Sequence, residues 1–522
     1  MNDLLKELPS CPEAKKCEIL NQFLIKYALT LKFDELNENG QRQAIWESLF
    51  DILETPEISA IHDLSLAALR ILSRDKTDLE NLITHKRINI VLDNAALGEH
   101  NSEQIKETKV ITEALKLLCN LLFNSEKVQK LIVSTTAIPH VINRLNNYDK
   151  NISHEIRLFD TRILFLITAL NVPTRNFVRE RLHGDECLEK HLKKIILEAG
   201  NNLNETQTVL ACEILKVLFN LHIKESTDNE KEKLEELVTM LRQLFLSGSA
   251  MAEELQSNII NLLTALPYSS YGPFAPDVDE PNADGSEVVY RKKDMTAMAK
   301  LLKFLDSRLE AESNLVEKLS PTMTALLRLV KSNRLIRKYT RLQVLPPLKD
   351  VMKRPEEGKS LRAKLCKLLT SPLNEVRDLV AEFVFVLCKE DVGRMVKYTG
   401  YGNAAGMFAN KGLLHQRQPD TNYSSDSEDS ETEEYAKYKE QINPVTGCYE
   451  KPKPNPLEGM SEEQKEYEAM QLAGLMDKLT SEGLVQPCRI DADGKPKPIE
   501  HVLELQNELM RGKNLQQDSD SD

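Results

Sequence analysis

One apolar phrase returns along this chain at intervals of about 45 to 52 residues. It reads ALRILSRD from Ala68, ALKLLCNLLFNS from Ala114, RILFLITALN from Arg162, ILKVLFNLHI from Ile214 and IINLLTALP from Ile259. Leu and Ile recur within and between these phrases at three- and four-residue spacing, the period of an amphipathic helix. Polar breaks such as Thr55-Pro56, Arg74-Asp75-Lys76 and Asn171-Val172-Pro173 leave room for two or three helices per repeat. A repeat of this length cannot bury its apolar face alone and must stack on its neighbours. The expected fold is therefore all-α, an armadillo/HEAT-like helical superhelix (α-solenoid), with a flexible C-terminal arm.

Composition narrows the function. Aromatics make up 5% of the 522 residues, with one tryptophan, Trp46, which suits a helical array better than a β-sandwich. The net charge of −13 argues against nucleic-acid binding, which needs a basic footprint. The nine cysteines are scattered, with no CxxC pair, and read as small apolar residues in a reducing compartment. The first residues, MNDLLKELPSCPEAKK, lack the basic and apolar regions of a signal peptide, and no apolar run is long enough to span a bilayer. A cytoplasmic location is expected. No HExxH, P-loop or GxSxG occurs, and the spacing of Gly400, Gly402 and Gly406 does not fit a dinucleotide loop. No catalytic residue, metal site or cofactor is therefore expected, and no small-molecule substrate.

Along the chain, the repeats are expected over residues 1–397, interrupted by a Pro- and Gly-rich insertion at 267–289, PYSSYGPFAPDVDEPNADGSEVV. Residues 398–460 read as a linker. It comprises a Gly/Ala-rich connector, an acidic Ser/Thr-rich stretch and a Pro-rich stretch. An amphipathic arm is expected over 461–512, opening with a capping box of Ser461 and Gln464 and followed by an apolar stripe of Tyr467, Met470, Leu475, Met476 and Leu479. A disordered tail is expected over 513–522.

Polar residues set into the repeated phrase are the candidate binding residues. Aligned on Leu69, Leu115, Ile163, Leu215 and Ile260, the residue five places on is Arg74, Asn120, Thr168, Asn220 and Ala265. Arg70 and Arg74 lie one helical turn apart and would share a face. Paired guanidiniums grip a carboxylate bidentately, so a wall carrying them favours an acidic group. Lys116 and Lys216 would extend that wall, and Asn120 and Asn220 would hydrogen-bond a ligand's backbone or chain end. A basic helix carrying Arg334, Arg337, Lys338 and Arg341 is either a solvated face or a dock for something acidic, such as the chain's own 424–434 segment. In that segment Ser425 has Glu428 three residues on and Ser430 has Glu433, the pattern acidophilic kinases favour. Phosphate there would add about 1.5 to 2 negative charges per site.

Seven stretches, in order, carry a resemblance to a known family. They are LRILSRDK (Leu69–Lys76), LCNLLFNS (Leu118–Ser125), LPYSSYGPF (Leu266–Phe274), RLIRKYTRLQVLPPL (Arg334–Leu348), KYTGYGNAAGMFANKGLL (Lys397–Leu414), INPVTG (Ile442–Gly447) and NPLEGMSEEQKEYEAM (Asn455–Met470). Together they resemble the synembryn family, chaperones and exchange factors for heterotrimeric G-protein α subunits. The resemblance implies a superhelix whose concave groove takes the C-terminal helix of Gα through Arg70, Arg74, Lys116, Asn120, Asn124, Lys216 and Asn220. It implies an arm that contacts the Ras-like domain through Tyr467, Met470, Leu475, Met476 and Leu479, and phosphorylation of Ser425 and Ser430 by a casein-kinase-two-like enzyme. GDP would be released and the empty Gα held until GTP binds. A monomer recruited to the inner face of the plasma membrane is expected, and an exposed amphipathic helix would also suit a neuronal calcium sensor protein. The competing expectation is an armadillo-type adaptor for helical or extended peptides, without exchange activity.

Overall fold

The computed structural model describes residues 11–38, 40–99, 107–148, 152–223, 230–279, 288–311, 313–414, 432–451, 459–486, 488–490 and 496–499. It is an all-α, armadillo/HEAT-like solenoid, in which the repeated phrases form one layer and the intervening helices a second. The chain divides into two compact units, residues 1–274 and 275–522.

In the first unit the five phrases fall on helices α1 (His62–Leu72), α2 (Thr108–Asn124), α3 (His154–Leu170), α4 (Glu205–His222) and α5 (Ala252–Ala265), each packed on the next. Behind them lie Gln41–Glu54, His85–Asn94, Ala137–Asn146, Gly184–Ala199 and Lys231–Leu246. Leu115 and Leu118, Leu164, Leu215 and Leu218, and Ile259 and Leu263 are fully buried and form a continuous apolar spine across the repeats. Local capping sets the boundaries. The Ser125 hydroxyl accepts from the Val128 N–H just after α2 and opens the next helix. Asn204 and Gln207 form a reciprocal capping box at the start of α4.

The insertion expected as a loop over 267–289 is ordered in its first part. Tyr268–Ser270 and Gly272–Phe274 form two 3-10 turns, with Tyr271 and Phe274 fully buried. The Tyr271 hydroxyl donates to the Leu266 carbonyl at 3.0 Å, and the Phe274 ring packs 6.2 Å from that of Phe245. Two aromatics seal this end of the first unit, which is why prolines and glycines can sit there. Residues 280–287 lie outside the described residues.

The second unit has its own packed helices, among them α6 (Leu315–Ser332), α7 (Arg334–Val344) and α8 (Asn374–Leu387). The Gly/Ala-rich stretch expected as a connector is instead helix α9 (Tyr401–Lys411), with Ala404 and Phe408 buried. The Pro-rich stretch supplies its N-terminal cap. Strands β1 (Ile442–Asn443) and β2 (Cys448–Tyr449) pair antiparallel, and their turn offers the carbonyls of Pro444 and Val445 to the N–H groups of Tyr401 (2.8 Å) and Gly402 (2.9 Å). Two otherwise orphaned helix donors are thereby satisfied from far along the chain. The approach is close. A Cβ added to Gly447, whose φ is +69°, would lie 3.0 Å from the Cα of Gly400 and 2.8 Å from Cγ of Pro355.

Helix α10 (Glu462–Ser481) forms as its capping box predicts, with Ser461 and Gln464 each accepting from the other's backbone, yet none of its residues is buried.

Candidate functional site

The predicted wall residues on the stacked helices come together as an alternating ladder of charge. Arg70 Nε on α1 lies 2.8 Å from Glu113 Oε2 on α2, and Lys116 Nζ lies 3.0 Å from Glu113 Oε1 and 3.7 Å from Glu155 on α3. Two helices further on the arrangement repeats. Arg162 Nη2 on α3 lies 2.8 Å from Glu213 Oε1 on α4, and Lys216 Nζ lies 3.4 Å from the same carboxylate and 3.9 Å from Glu254 on α5. The Phe159 ring joins the two groups, with Lys116 Nζ 5.5 Å and the Arg162 guanidinium 5.4 Å from its centroid. The four cationic side chains are 25 to 36% exposed, while Glu113 and Glu213 are 18% and 6% exposed. Glu113 and Glu213 thus lie beneath the cations, while Glu155 and Glu254, 61% and 47% exposed, flank Lys116 and Lys216 at the surface. Burial alone would pull the Arg162 guanidinium down, but its hydrogen bond and charge pairing with Glu213 outweigh that and raise it.

The asparagines do a different job from the one their register suggests. Asn120 Nδ2 donates to the carbonyl of Arg70 at 3.0 Å and Asn124 Nδ2 to that of Ser73 at 2.9 Å. Asn220 Nδ2 donates to Thr168 Oγ1 at 3.0 Å and to the Phe165 carbonyl at 3.4 Å. Each ties its helix to the preceding one in the stack. Asn120 and Asn124 each keep one amide N–H and the acceptor oxygen for a ligand, whereas Asn220, with two donor contacts, has chiefly its acceptor oxygen left. Arg74 is likewise partly committed. Its Nη1 donates to the carbonyls of Ala28 (2.8 Å) and Thr30 (3.3 Å), and burial together with the neighbouring Arg70 charge lowers its pKa.

Arg162, Glu113 and Glu213 are site residues that the sequence reading passed over. A signal was present: Glu-x-x-Lys occurs at 113–116 and again at 213–216, each Glu two places before its aligned leucine. Apolar side chains lie open at or just past the C-terminal ends of α2 and α3, Phe123 at 62% exposure, Leu170 at 43% and Val172 at 60%, with Lys76 Nζ 5.3 Å above the Phe123 ring.

Elsewhere the expectations divide. On α10, Tyr467 (61% exposed), Met470 (72%), Leu475 (55%) and Met476 (42%) lie open, and Leu479 is half-buried. The basic helix α7 is not an open patch. Lys338 and Arg341 are buried, with Arg341 Nη2 donating to Tyr398 Oη at 3.1 Å, and Arg337 Nη1 donates to the Val330 carbonyl at 3.0 Å. Only Arg334 of the four is exposed. Lys338 and Arg341 sit on the side of α7 that packs into the unit, so their long stems are covered and their charges serve internal partners. Ser425 and Ser430 lie outside the described residues. No group of His, Cys, Asp and Glu among the described residues is arranged to hold a metal.

A helical repeat stack of this kind belongs to the class of armadillo/HEAT-like solenoids. Within that class, the chain belongs to the guanine nucleotide exchange factor synembryn family, whose sequence model matches residues 65–495. Chaperone Ric-8 of Drosophila pseudoobscura pseudoobscura is 37% identical to it, with 94% of this chain and 95% of the relative covered. Chaperone Ric-8A of Danio rerio is 37% identical, covering 93% of each, and that of Rattus norvegicus is 37% identical, covering 97% of this chain and 96% of the relative. A designed armadillo repeat protein solved with the peptide (KR)4 overlaps more loosely, at 16% identity, 51% of this chain, 99% of that one and a TM-score of 0.36.

Proposed function

We propose that this protein is a chaperone and guanine nucleotide exchange factor for heterotrimeric G-protein α subunits. The observation that carries the reading is membership of the exchange-factor family over most of the chain, joined to a stack face whose cations suit a helix ending in a free carboxylate. Arg70 and Arg74 meet the chain-end carboxylate of Gα, Lys116 and Lys216 extend the field, and Asn120, Asn124 and Asn220 accept from N–H groups of the bound segment. The exposed face of α10 covers the Ras-like domain.

No covalent step is required. A protein that binds nucleotide-free Gα more tightly than Gα·GDP lowers the affinity for GDP by the same factor, because the coupling is reciprocal. Drawing the C-terminal helix of Gα onto the stack loosens the nucleotide site, GDP leaves, and GTP binding reverses the shift. The same grip would hold a newly made Gα whose terminal helix has not yet docked. Phosphorylation of Ser425 and Ser430 by an acidophilic kinase belongs to this proposal as a regulator.

The test mixes purified protein with Gα·GDP and follows GDP release together with complex formation. Faster release and a stable nucleotide-free complex are expected. A complex without faster release would favour the adaptor reading, and neither would remove both.

A further inference from the structure

The charge ladder contains two cationic pairs; the first, Arg70 and Lys116, is assigned above to the ligand's chain end, and in the second Lys216 was given a share of that field while Arg162 was given no role. The second is Arg162 and Lys216 over Glu213. Its three members come from two adjacent helices, its cations are 36% and 30% exposed, and its carboxylate is 6% exposed with Oε2 buried and without a hydrogen-bond partner. The carboxylate is thus locked beneath two cations that face outward. The buried Glu213 charge holds both in place and offsets their mutual repulsion, while Glu254, 47% exposed and 3.9 Å from Lys216 Nζ, shares that cation at the surface, where an incoming carboxylate would take its place. The Phe159 ring under the Arg162 guanidinium and the Phe165 ring 5.9 Å from Lys216 Nζ limit where both groups can swing.

We propose that Arg162 and Lys216 form a second anion seat, taking a carboxylate side chain of a helical ligand that lies along the stack. The proposal rests on the Gα reading for the identity of the natural ligand, though the seat's chemistry stands apart from it. Neighbouring helices pack about 8 to 10 Å apart, so the α3–α4 seat is roughly 16 to 20 Å from the α1–α2 seat. A helix rises about 1.5 Å per residue. A ligand whose terminal carboxylate meets Arg70 therefore brings a residue about 11 to 13 positions upstream to Arg162. The stack would then select ligands by two marks at a set separation, a free chain end and an internal acid. Glu213 is a positioning residue in this arrangement, and also an internal competitor for the cations it holds.

Two helical peptides test the seat, each with a free C-terminus, one with glutamate and the other with glutamine about 12 residues upstream. Their binding to the full-length protein is measured by calorimetry. The wild-type protein should bind the glutamate peptide about tenfold more tightly, the value of one charge-assisted hydrogen bond. Arg162→Gln should shrink that difference to less than about twofold, whatever it does to the two peptides in common. Glu213→Gln should widen it, an outcome that a purely structural role for Glu213 would not produce. Thermal melts check that each variant is folded, and Arg162→Lys, which keeps the charge but loses the planar fork, should narrow the difference between the peptides if Arg162→Gln fails to fold. Equal binding of the two peptides by the wild-type protein, no binding of either, or equal loss of both on Arg162→Gln would overturn the seat. Peptide discrimination without any acceleration of GDP release would sustain the seat and remove the Gα reading; the reverse pattern would do the opposite.

Discussion

The α1–α5 stack and helix α10 carry similar apolar residues at similar helical spacing, and they differ in what covers them. In the stack, Leu115, Leu164, Leu215 and Ile259 are fully buried against the next repeat, and amides such as Asn220 tie each helix to the last. In α10, no residue is buried and four large apolar side chains of the predicted stripe lie open. Periodicity identifies a helix with an apolar face in both cases. It does not say whether the face is satisfied within the chain or reserved for a partner, because that depends on contacts made across a repeat length.

The contrast is sharpest in stability. Leu215→Ala should destabilise by about 2 to 5 kcal/mol, the cost of lost burial plus a cavity, whereas Leu475→Ala on α10 should change stability by less than about 0.5 kcal/mol. Denaturant unfolding of both variants checks this, and equal costs would erase the distinction. Reversing Arg70 and Arg74 to Glu should weaken Gα binding by about tenfold to a hundredfold while circular dichroism keeps its helical signal. Unchanged affinity would leave the stack without the proposed ligand.

Asn220→Ala should cost about 1 to 2 kcal/mol of stability, since it removes the amide that bridges α4 to α3. Negligible loss would show that stacking needs no polar tie.

An effect confined to high pH lies behind the stack, at Glu189, whose carboxyl is pushed up to about 8 by burial and then by the nearby Asp185 charge. A raised carboxyl favours the protonated folded state. Its contribution is therefore fully present below the unfolded value near 4.5 and is lost as pH rises through about 8. Glu189→Gln should raise the melting temperature at pH 8 to 9 and leave it nearly unchanged at pH 4.5, a pair of scans that would expose a wrong sign directly.

The repeat layer was legible in the sequence because every repeat states its apolar face locally. The capping box at Ser461 and Gln464 was legible for the same reason, being complete within four residues. What escaped depends on distant partners. The Asn120 amide points to the Arg70 carbonyl, which no local pattern reveals. Tyr401–Lys411 reads as a flexible connector because the carbonyls that cap it come from Pro444 and Val445. Lys338 and Arg341 read as surface charge, since a helix rich in cations gives no sign of which side its unit will cover. The ladder partners of Arg162 and Lys216 were nearer to hand in the repeated Glu-x-x-Lys, a pattern of charge rather than of apolar spacing.

The meeting of Gly400 and Gly447 has an evolutionary consequence. With the backbone of each within about van der Waals reach of where the other's Cβ would stand, neither position can accept a side chain while the hairpin keeps its place. Drift at one of them is barred by the other, so the two should persist as glycines together in every descendant that keeps the hairpin seated at the start of α9, and be lost together in any lineage that gives it up.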